Sequence, residues 1–240
     1  MIGATRKFRL NATELKLVAI ITMLIDHIGA VLYPKVLFFR IIGRLAFPIF
    51  CYFISEGFFK TSNVKKYMKR LFVFALISQV PFYLAFRTGY YLNVFFTLFF
   101  GLYAVISYDR TKEIKYVWFL GMIAQVLNTD YGIYGVFMIY FFYKYHNDFR
   151  KMFKSQAILT FIFLGVLSLG ATINLVISKI SLEIYFSGLI SIWIEAFCLL
   201  SLFLIRIYNG EKGKGLKYLF YVFYPAHLLI IAGIKKIFLL

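Results

Sequence analysis

Long apolar runs alternate with short polar stretches along almost the whole chain, and this alternation predicts its helices. A helix that crosses a bilayer needs about 20 mostly apolar residues. The pattern predicts about nine such spans, at Leu15–Tyr33, Leu37–Phe59, Tyr67–Phe86, Tyr90–Tyr108, Ile114–Leu127, Tyr131–Tyr145, Gln156–Ser178, Leu182–Ile205 and Leu216–Ile237. The fifth and sixth are short, and an alternative is that they form a re-entrant hairpin. Since no long polar stretch suggests a second domain, we expect one all-helical domain over residues 1–240.

The composition places these helices in a membrane. Residues of the set AVILMFWYC make up 62% of the 240 residues, whereas roughly 45–50% is usual in a soluble domain. A soluble protein of this size has too little interior to bury that much apolar surface. Secreted disulfide scaffolds, disordered chains and cytosolic enzymes are therefore excluded, and the sequence predicts a polytopic integral membrane protein in contact with the lipid bilayer.

The charges predict its orientation. The net charge is +17, and 20 of the 27 Lys and Arg residues lie in five clusters separated by pairs of spans. The clusters are Arg6, Lys7, Arg9 and Lys16; Lys60, Lys65, Lys66, Lys69 and Arg70; Arg110, Lys112 and Lys115; Lys144, Arg150, Lys151 and Lys154; and Arg206, Lys212, Lys214 and Lys217. The opposite loops and the C-terminus hold only Lys35, Arg40, Arg87, Lys179, Lys235 and Lys236. The positive-inside rule therefore predicts a cytoplasmic N-terminus, and the same pattern argues against nucleic-acid binding.

Ionisable residues inside spans are candidates for function because they are costly in lipid. His27 follows Lys16 by eleven residues, about three helical turns, so the two side chains point the same way about 16 Å apart along the axis. If Lys16 lies at the cytoplasmic surface, His27 is near the middle of the bilayer. In the antiparallel hairpin of the first two spans, Asp26 and Arg44 have about the same depth, and we expect them to pair.

Three prolines lie inside spans, each close to a polar side chain. Pro48 follows Arg44, Pro81 follows Gln79, and Pro225 precedes His227. Each proline frees a carbonyl and kinks its helix, which is tolerated where the helix lines a polar cavity. The spacing puts His227 at a depth similar to that of His27, which predicts a central polar cavity.

Purely structural interpretations stay open for all of these residues. Asp26 and Arg44 fit an ion pair that locks a hairpin, and His27 and His227 fit hydrogen-bonded interior histidines. Glu56 fits an i,i+4 pair with Lys60. Glu195 has no partner visible in the sequence, and His146 lies in a basic loop that needs no special role. Cys and His spacing of the kind that binds metal is absent.

Several stretches of the chain resemble the TraX family of membrane proteins. They are Leu15–Leu17, Leu24–Gly29 (LIDHIG), Arg40–Phe50 (RIIGRLAFPIF), Ser55–Phe58, Leu76–Phe82, Leu92–Leu98, Asp130–Val136 and Phe223–Leu229. The resemblance is close over about residues 15–101 and patchy afterwards. It implies a protein of the bacterial cytoplasmic membrane and a role in acetylating the N-terminus of a conjugative pilin.

The TraX family is in turn distantly similar to acyltransferase family 3 and to the heparan-glucosaminide N-acetyltransferases. The signature of acyltransferase family 3 is Arg, ten residues, then His on the first span. Here Lys16 stands at the Arg position, which keeps the charge but loses a bidentate phosphate ligand, and His27 stands at the His position. The Ser-Gly-Phe of that family is interrupted here by Glu56.

This resemblance implies an enzyme whose acyl donor is cytoplasmic acetyl-CoA and which needs no metal. His27 is implied as the general base or the acetyl carrier, and Asp26 and Arg44 complete the catalytic set. The implied substrate-binding residues are Lys16, Arg40, Glu56, His227 and Asp130. The expected acceptor is an amine or hydroxyl of an extracytoplasmic protein or glycan. Two alternatives remain, a proton-coupled transporter of a small solute and a non-catalytic membrane subunit of a pilus or secretion apparatus.

Overall fold

The computed structural model describes residues 9–86, 89–178 and 180–238, and its secondary structure over these ranges is helical apart from two isolated bridges. The α-helices are α1 (Ala12–Leu32), α2 (Leu37–Gly43), α3 (Ala46–Lys60), α4 (Val64–Phe86), α5 (Val94–Thr111), α6 (Lys115–Val126), α7 (Gly132–Lys144), α8 (Phe149–Ser178), α9 (Leu182–Trp193), α10 (Ser201–Arg206) and α11 (Lys217–Phe238). A 3₁₀ stretch, Ile194–Leu200, connects α9 to α10. The prediction of an all-helical protein is confirmed.

The described helices form nine rods, because α2 continues into α3 and α9 continues through the 3₁₀ stretch into α10. Six of the rods are long and apolar enough to cross a bilayer: Ala12–Leu32, Leu37–Lys60, Val64–Phe86, Phe149–Ser178, Leu182–Arg206 and Tyr218–Phe238. The others are α5, α6 and α7. The 12 residues of α6 and 13 of α7 extend about 18–20 Å, less than the ~30 Å hydrocarbon core. A complete crossing by these three remains a prediction, as does the orientation of the protein.

The core lies where α3, α5 and α7 pack together, and α1, α4 and α11 surround it on one side. Tyr140 and Phe142 of α7 and Leu102 of α5 are fully buried. By contrast, α9 has no buried residue, and α8 exposes apolar side chains along most of its length. This apolar outer surface is what a lipid environment requires, and it agrees with a multi-pass membrane protein.

The second predicted span is broken near its start. Helix α2 ends at Gly43 and α3 begins at Ala46, so the break falls at Arg44 and Leu45. Pro48 explains the break, because it lacks an N–H and cannot bond the carbonyl of Arg44 four residues earlier. The expected disturbance of the helix at Pro48 is therefore present as this interruption, whereas α4 and α11 continue through Pro81 and Pro225.

Small residues bring the first two rods into contact. A Cβ atom added at Gly43 would overlap the carboxylate of Asp26, and one added at Gly29 would overlap the Phe39 side chain. Glycine at these two positions lets α1 and α2 approach closely. This close packing places α1 residues beside the break at Arg44.

One end of the bundle, which we call the basic end, holds the start of α1 and the ends of α3 and α10. Leu10 forms a bridge with Tyr208, and Lys60 Nζ donates to the carbonyl of Gly210 at 2.5 Å. Asn11 caps α1 and forms a capping box with Glu14. The segment 207–216 thus folds across the beginning of α1. Of the residues in the charge pattern, Arg6, Lys7, Arg87 and Lys179 lie outside the described residues, as does the side chain of Lys217.

Candidate functional site

Two histidines from opposite ends of the chain meet inside the bundle. Nδ1 of His27 in α1 lies 2.7 Å from Nε2 of His227 in α11, and their rings stack with an interplanar angle of 9°. Nδ1 of His227 donates to the carbonyl oxygen of Phe223, also at 2.7 Å. The expectation that the two histidines have a similar depth is therefore confirmed.

These hydrogen bonds assign the neutral tautomers of both rings. The Phe223 carbonyl can only accept, so His227 carries its proton on Nδ1 and its Nε2 must accept. His27 therefore donates from Nδ1, and its own Nε2 is left with a free lone pair. A histidine whose Nδ1 is held by an orienting partner and whose Nε2 is free has the arrangement of a general base or a nucleophile.

Aromatic rings surround the histidine pair. The Phe86 ring lies 5.2 Å from the His27 ring, and the Phe223 ring stacks on His227 at 4.7 Å. Tyr224 contacts both imidazoles edge-on, with centroid distances of 6.0 Å to His27 and 5.7 Å to His227. His227 is buried, whereas His27 is partly accessible. Of the two residues, His27 therefore keeps more accessible surface.

A network of charges adjoins the pair on the side away from the basic end. Asp26 accepts from Arg44 at 2.6 Å and from Arg40 at 2.7 Å, and Arg44 also pairs with Glu195. The predicted pair of Asp26 and Arg44 is thus present. Arg44 is 5% exposed, so its charge is balanced within the protein by two carboxylates.

Asp130 lies close to this network but forms none of the ion pairs found among the described residues. Its carboxylate interacts electrostatically with Arg44 and Asp26. The backbone N–H of Asp130 donates to the carbonyl of Leu92 at 2.9 Å, which holds the short loop between α6 and α7 in place. The residue keeps accessible surface, and a role for Asp130 in binding a substrate stays a prediction.

Lys16 and Glu56 lie at the basic end, separate from the histidines. The carboxylate of Glu56 pairs with Lys60 at 2.7 Å, as predicted for the i,i+4 spacing. It also accepts from Nε2 of His146 at 2.6 Å and from the hydroxyl of Tyr208 at 3.0 Å. The hydrogen bond to Glu56 raises the pKa of His146 above its usual value, since His146 lies in the loop after α7, close to this acid.

Sequence reasoning missed the contacts of three of these residues. His146 was expected to have no special role, yet it joins α3 to the loop between α7 and α8. Glu195 had no visible partner, yet it meets Arg44 from 151 residues away. Tyr208 carried no signal at all. Each of these contacts joins helices that are far apart in the sequence, so the local sequence pattern does not predict it.

A pocket of about 660 Å³ opens at the basic end and extends toward the histidines. Lys16, Lys60 and Lys212 lie on its wall, and so does Tyr224, which contacts both imidazoles. A central polar cavity that continues past the histidine pair remains a prediction. Among the described residues, no group of three or more His, Cys, Asp or Glu side chains could hold a metal ion.

These features define a class of protein, a multi-pass helical membrane protein with ionisable residues placed inside its spans. Comparison with known families then gives a more specific assignment. The family model described as "TraX protein" matches residues 11–235, nearly the whole chain. The chain therefore belongs to the TraX family.

Two relatives extend this result. The chain is 31% identical to the "Probable fimbrial assembly protein FimC, serogroup H1" of Dichelobacter nodosus, over 96% of this chain and 98% of that protein. It is 36% identical to an uncharacterised protein of Rickettsia prowazekii (strain Madrid E), over 36% of this chain and 33% of that protein. No solved structure matches. The family membership is shown, whereas similarity to acyltransferases remains an expectation from the sequence.

Proposed function

We propose that this chain acts in the assembly of surface fimbriae, as a multi-pass protein of the bacterial cytoplasmic membrane. The observation that carries the proposal is its similarity to the fimbrial assembly protein of Dichelobacter nodosus, which extends over almost the full length of both chains. A likeness of that extent supports a shared role for the whole molecule, since no large segment of either protein is left unmatched. It favours the pilus-related alternative over an enzyme without such a connection.

The proposed role takes two forms that differ in what the buried polar residues do. In the first form the protein is a non-catalytic membrane subunit, and Asp26, Arg44 and the histidines only hold the helices together. In the second form it acetylates a fimbrial component. The specific observation that favours the second form is the free Nε2 of His27, whose ring is oriented through His227 and contacts Tyr224, a residue that lines the pocket at the basic end.

The second form has a defined chemistry. An amine of the acceptor attacks the thioester carbonyl of acetyl-CoA, so that a C–N bond forms and the C–S bond breaks. His27 Nε2 takes the proton from the amine and then delivers it to the departing thiolate. His227 stabilises the imidazolium by accepting from Nδ1 of His27. The partly exposed Arg40, which Asp26 and Arg44 hold in place, would favour the oxyanion of the tetrahedral intermediate. The acceptor is an amine or hydroxyl of an extracytoplasmic protein or glycan, and Asp130 would bind it.

Fimbriation of the host bacterium tests the proposal as a whole. We expect deletion of the gene to reduce the number of fimbriae seen by electron microscopy, and complementation with the wild-type gene to restore it. Immunoblots of the fimbrial subunit separate failed assembly from failed expression. Unchanged fimbriation in the deletion strain would overturn the proposal.

The two forms are separated by complementation with His27→Ala. If the protein is a transferase, this variant inserts normally but leaves fimbrial peptides unacetylated, as measured by mass spectrometry, and purified protein transfers no label from acetyl-CoA. Ser191→Ala, on the exposed surface of α9, is the matched control and keeps activity. If complementation with the wild-type gene adds no acetyl group to fimbrial peptides and purified wild-type protein transfers no label, the transferase form is wrong and the structural form stands. If His27→Ala acetylates as the wild type does, the role given to His27 is wrong.

A further inference from the structure

A groove of about 420 Å³ lies on the outside of the bundle between the beginning of α4 and the last turns of α5. Lys65 of α4 and Arg110 of α5 are the cationic side chains on its wall. The groove shares no lining residue with the pocket at the basic end, because that pocket uses a different face of α4, with Tyr67, Arg70 and Leu71. It is therefore a separate feature of the surface.

The two cations of the groove are not balanced by protein carboxylates. Both are exposed, and none of the ion pairs formed by the described residues includes Lys65 or Arg110. The carboxylate nearest to them in the sequence is that of Asp109, which already pairs with Lys112 at 2.8 Å and accepts from the hydroxyl of Tyr143 at 2.6 Å. No Asp or Glu is among the described residues that line the groove. This end of the groove therefore carries two uncompensated positive charges.

Beyond the cations, both helices present apolar and aromatic side chains on the same face. On α4, Met68 and Phe72 follow Lys65 by three and seven residues, so Phe72 lies about 10 Å further along the axis. On α5, Tyr103 and Phe99 precede the arginine by seven and eleven residues, which again places them on one helix face. Each helix thus has its cation at the same end of the groove and its apolar side chains further from that end.

The aromatic side chains of the two helices meet. The Phe72 ring of α4 lies 5.3 Å from the Phe99 ring of α5, and the Phe99 ring lies 6.4 Å from that of Tyr103. Phe72 and Tyr103 are exposed, so this wall faces the surroundings of the protein. Basic pockets between membrane helices bind the headgroups of anionic lipids. A cationic end followed by an exposed apolar wall matches the two parts of a phospholipid, its headgroup and its acyl chain.

We propose that this groove binds an anionic phospholipid of the leaflet at the basic end. Its phosphate would lie between Lys65 and Arg110, and an acyl chain would extend past Met68 along Phe72 and Phe99. A lipid fills both parts of the groove, whereas a soluble phosphate would leave the aromatic wall uncovered. The proposal uses no residue of the histidine pair or of its charge network. Its failure would therefore leave the fimbrial role untouched, and the reverse also holds.

Lipid retention by the purified full-length protein tests the proposal. Native mass spectrometry compares phosphatidylglycerol with phosphatidylcholine that carries the same acyl chains. We expect the wild type to retain phosphatidylglycerol preferentially. Lys65→Gln and Arg110→Gln should each weaken this retention about fivefold, the effect of one basic residue at an anionic membrane surface. Because both side chains are exposed, both variants should fold normally.

Lys66→Gln is the matched control for these two variants. It removes an exposed charge next to Lys65 in the sequence, and Lys66 lines neither the groove nor the pocket at the basic end. The control should therefore retain phosphatidylglycerol as the wild type does. Equal weakening by all three variants would mean that the overall basic charge attracts the lipid without a defined site. That result, or a wild type that does not prefer phosphatidylglycerol, would overturn the proposal.

Two further measurements identify the occupant of the groove. Glycerol 1-phosphate has the phosphate but no acyl chain, so an excess of it should leave phosphatidylglycerol retention unchanged. Phosphatidylglycerol with a photoreactive group in its acyl chain should label peptides from α4 and α5. Displacement by glycerol 1-phosphate would identify a soluble phosphate as the occupant, and labelling confined to other helices would place the lipid elsewhere. Either result would overturn the proposal.

Discussion

Nδ1 of His27 and Nε2 of His227 lie 2.7 Å apart, although 200 residues separate them in the chain. The contact joins the first long helix to the last, α1 to α11. Because the carbonyl of Phe223 accepts from the other side of His227, the three groups form one directed chain of hydrogen bonds. This chain sets the protonation pattern of both rings.

The first prediction concerns that protonation pattern. In protein labelled with ¹⁵N-histidine in nanodiscs, the neutral forms of both His27 and His227 should carry the proton on Nδ1. Substitution His227→Phe removes the acceptor, so the neutral His27 ring should shift toward the Nε2–H tautomer. Long-range nitrogen–proton couplings distinguish the two forms. A proton on Nε2 of His27 in the wild-type protein would contradict the assignment of a free Nε2.

The second prediction concerns the buried charges. Arg44→Gln leaves Asp26 with Arg40 alone and leaves Glu195 without a cation, so we expect a loss of about 3–5 kcal/mol in the free energy of unfolding. Unfolding in mixed detergent, followed by circular dichroism, measures this loss.

The double variant Asp26→Asn with Arg44→Gln is the control for this charge effect. It should be less destabilised than the sum of the two single variants, because the two charges are removed together. Additive losses would mean that the ion pair contributes little and that packing dominates at this position.

The third prediction concerns the close approach of α1 and α2. Gly43→Ala places a methyl group on the Asp26 carboxylate and should destabilise the protein by about 1–3 kcal/mol while disturbing the ion pair with Arg44. The matched control is Gly165→Ala in α8, where nothing lies within 4 Å of the added atom. There the better helix propensity of alanine should leave the thermal midpoint unchanged or raise it. Equal midpoints for the two variants would show that the two helices do not pack as described.

The fourth prediction concerns pH. The hydrogen bond from His146 to Glu56 raises the pKa of His146 in the folded protein, so protonated His146 favours folding. This contribution is fully present below the unfolded pKa of about 6.5 and is lost as the pH rises through the folded value. The thermal midpoint of the wild type should therefore exceed that of His146→Gln at about pH 5.5, and the difference should shrink toward about pH 8.5.

A direct titration of His146 by NMR provides the corresponding control. Removing the acceptor charge with Glu56→Gln should bring the pKa of His146 back toward its usual value. If the pKa of His146 is the same in both proteins, Glu56 is not its partner in solution.

The helices could be predicted from the sequence because each depends on local information. The length of each apolar segment predicted a helical rod. Pro48, four residues after Arg44, predicted the break between α2 and α3. The depth of a side chain within the bundle was also predictable, since the fixed rise per residue of a helix converts the spacing of two residues in the sequence into a distance along the helix axis. That is why Asp26 was expected beside Arg44 and His27 level with His227.

The partners of Glu195 and His146 could not be predicted in the same way. Glu195 reaches Arg44 because the 3₁₀ stretch packs on α2, and His146 reaches Glu56 because the loop after α7 lies beside the end of α3. Which rods become neighbours depends on side-chain fit across the whole bundle. Neither spacing nor composition carries that information.

The sequence by itself determined that this chain is a helical protein of the membrane, where its helices run and which end is basic, because hydrophobic length and charge are properties of each segment alone. Tertiary structure decided what those segments do together. It directed one imidazole nitrogen toward another, balanced Arg44 with two carboxylates and gathered four cationic side chains around one pocket, since residues of different helices come together only when the whole bundle has packed.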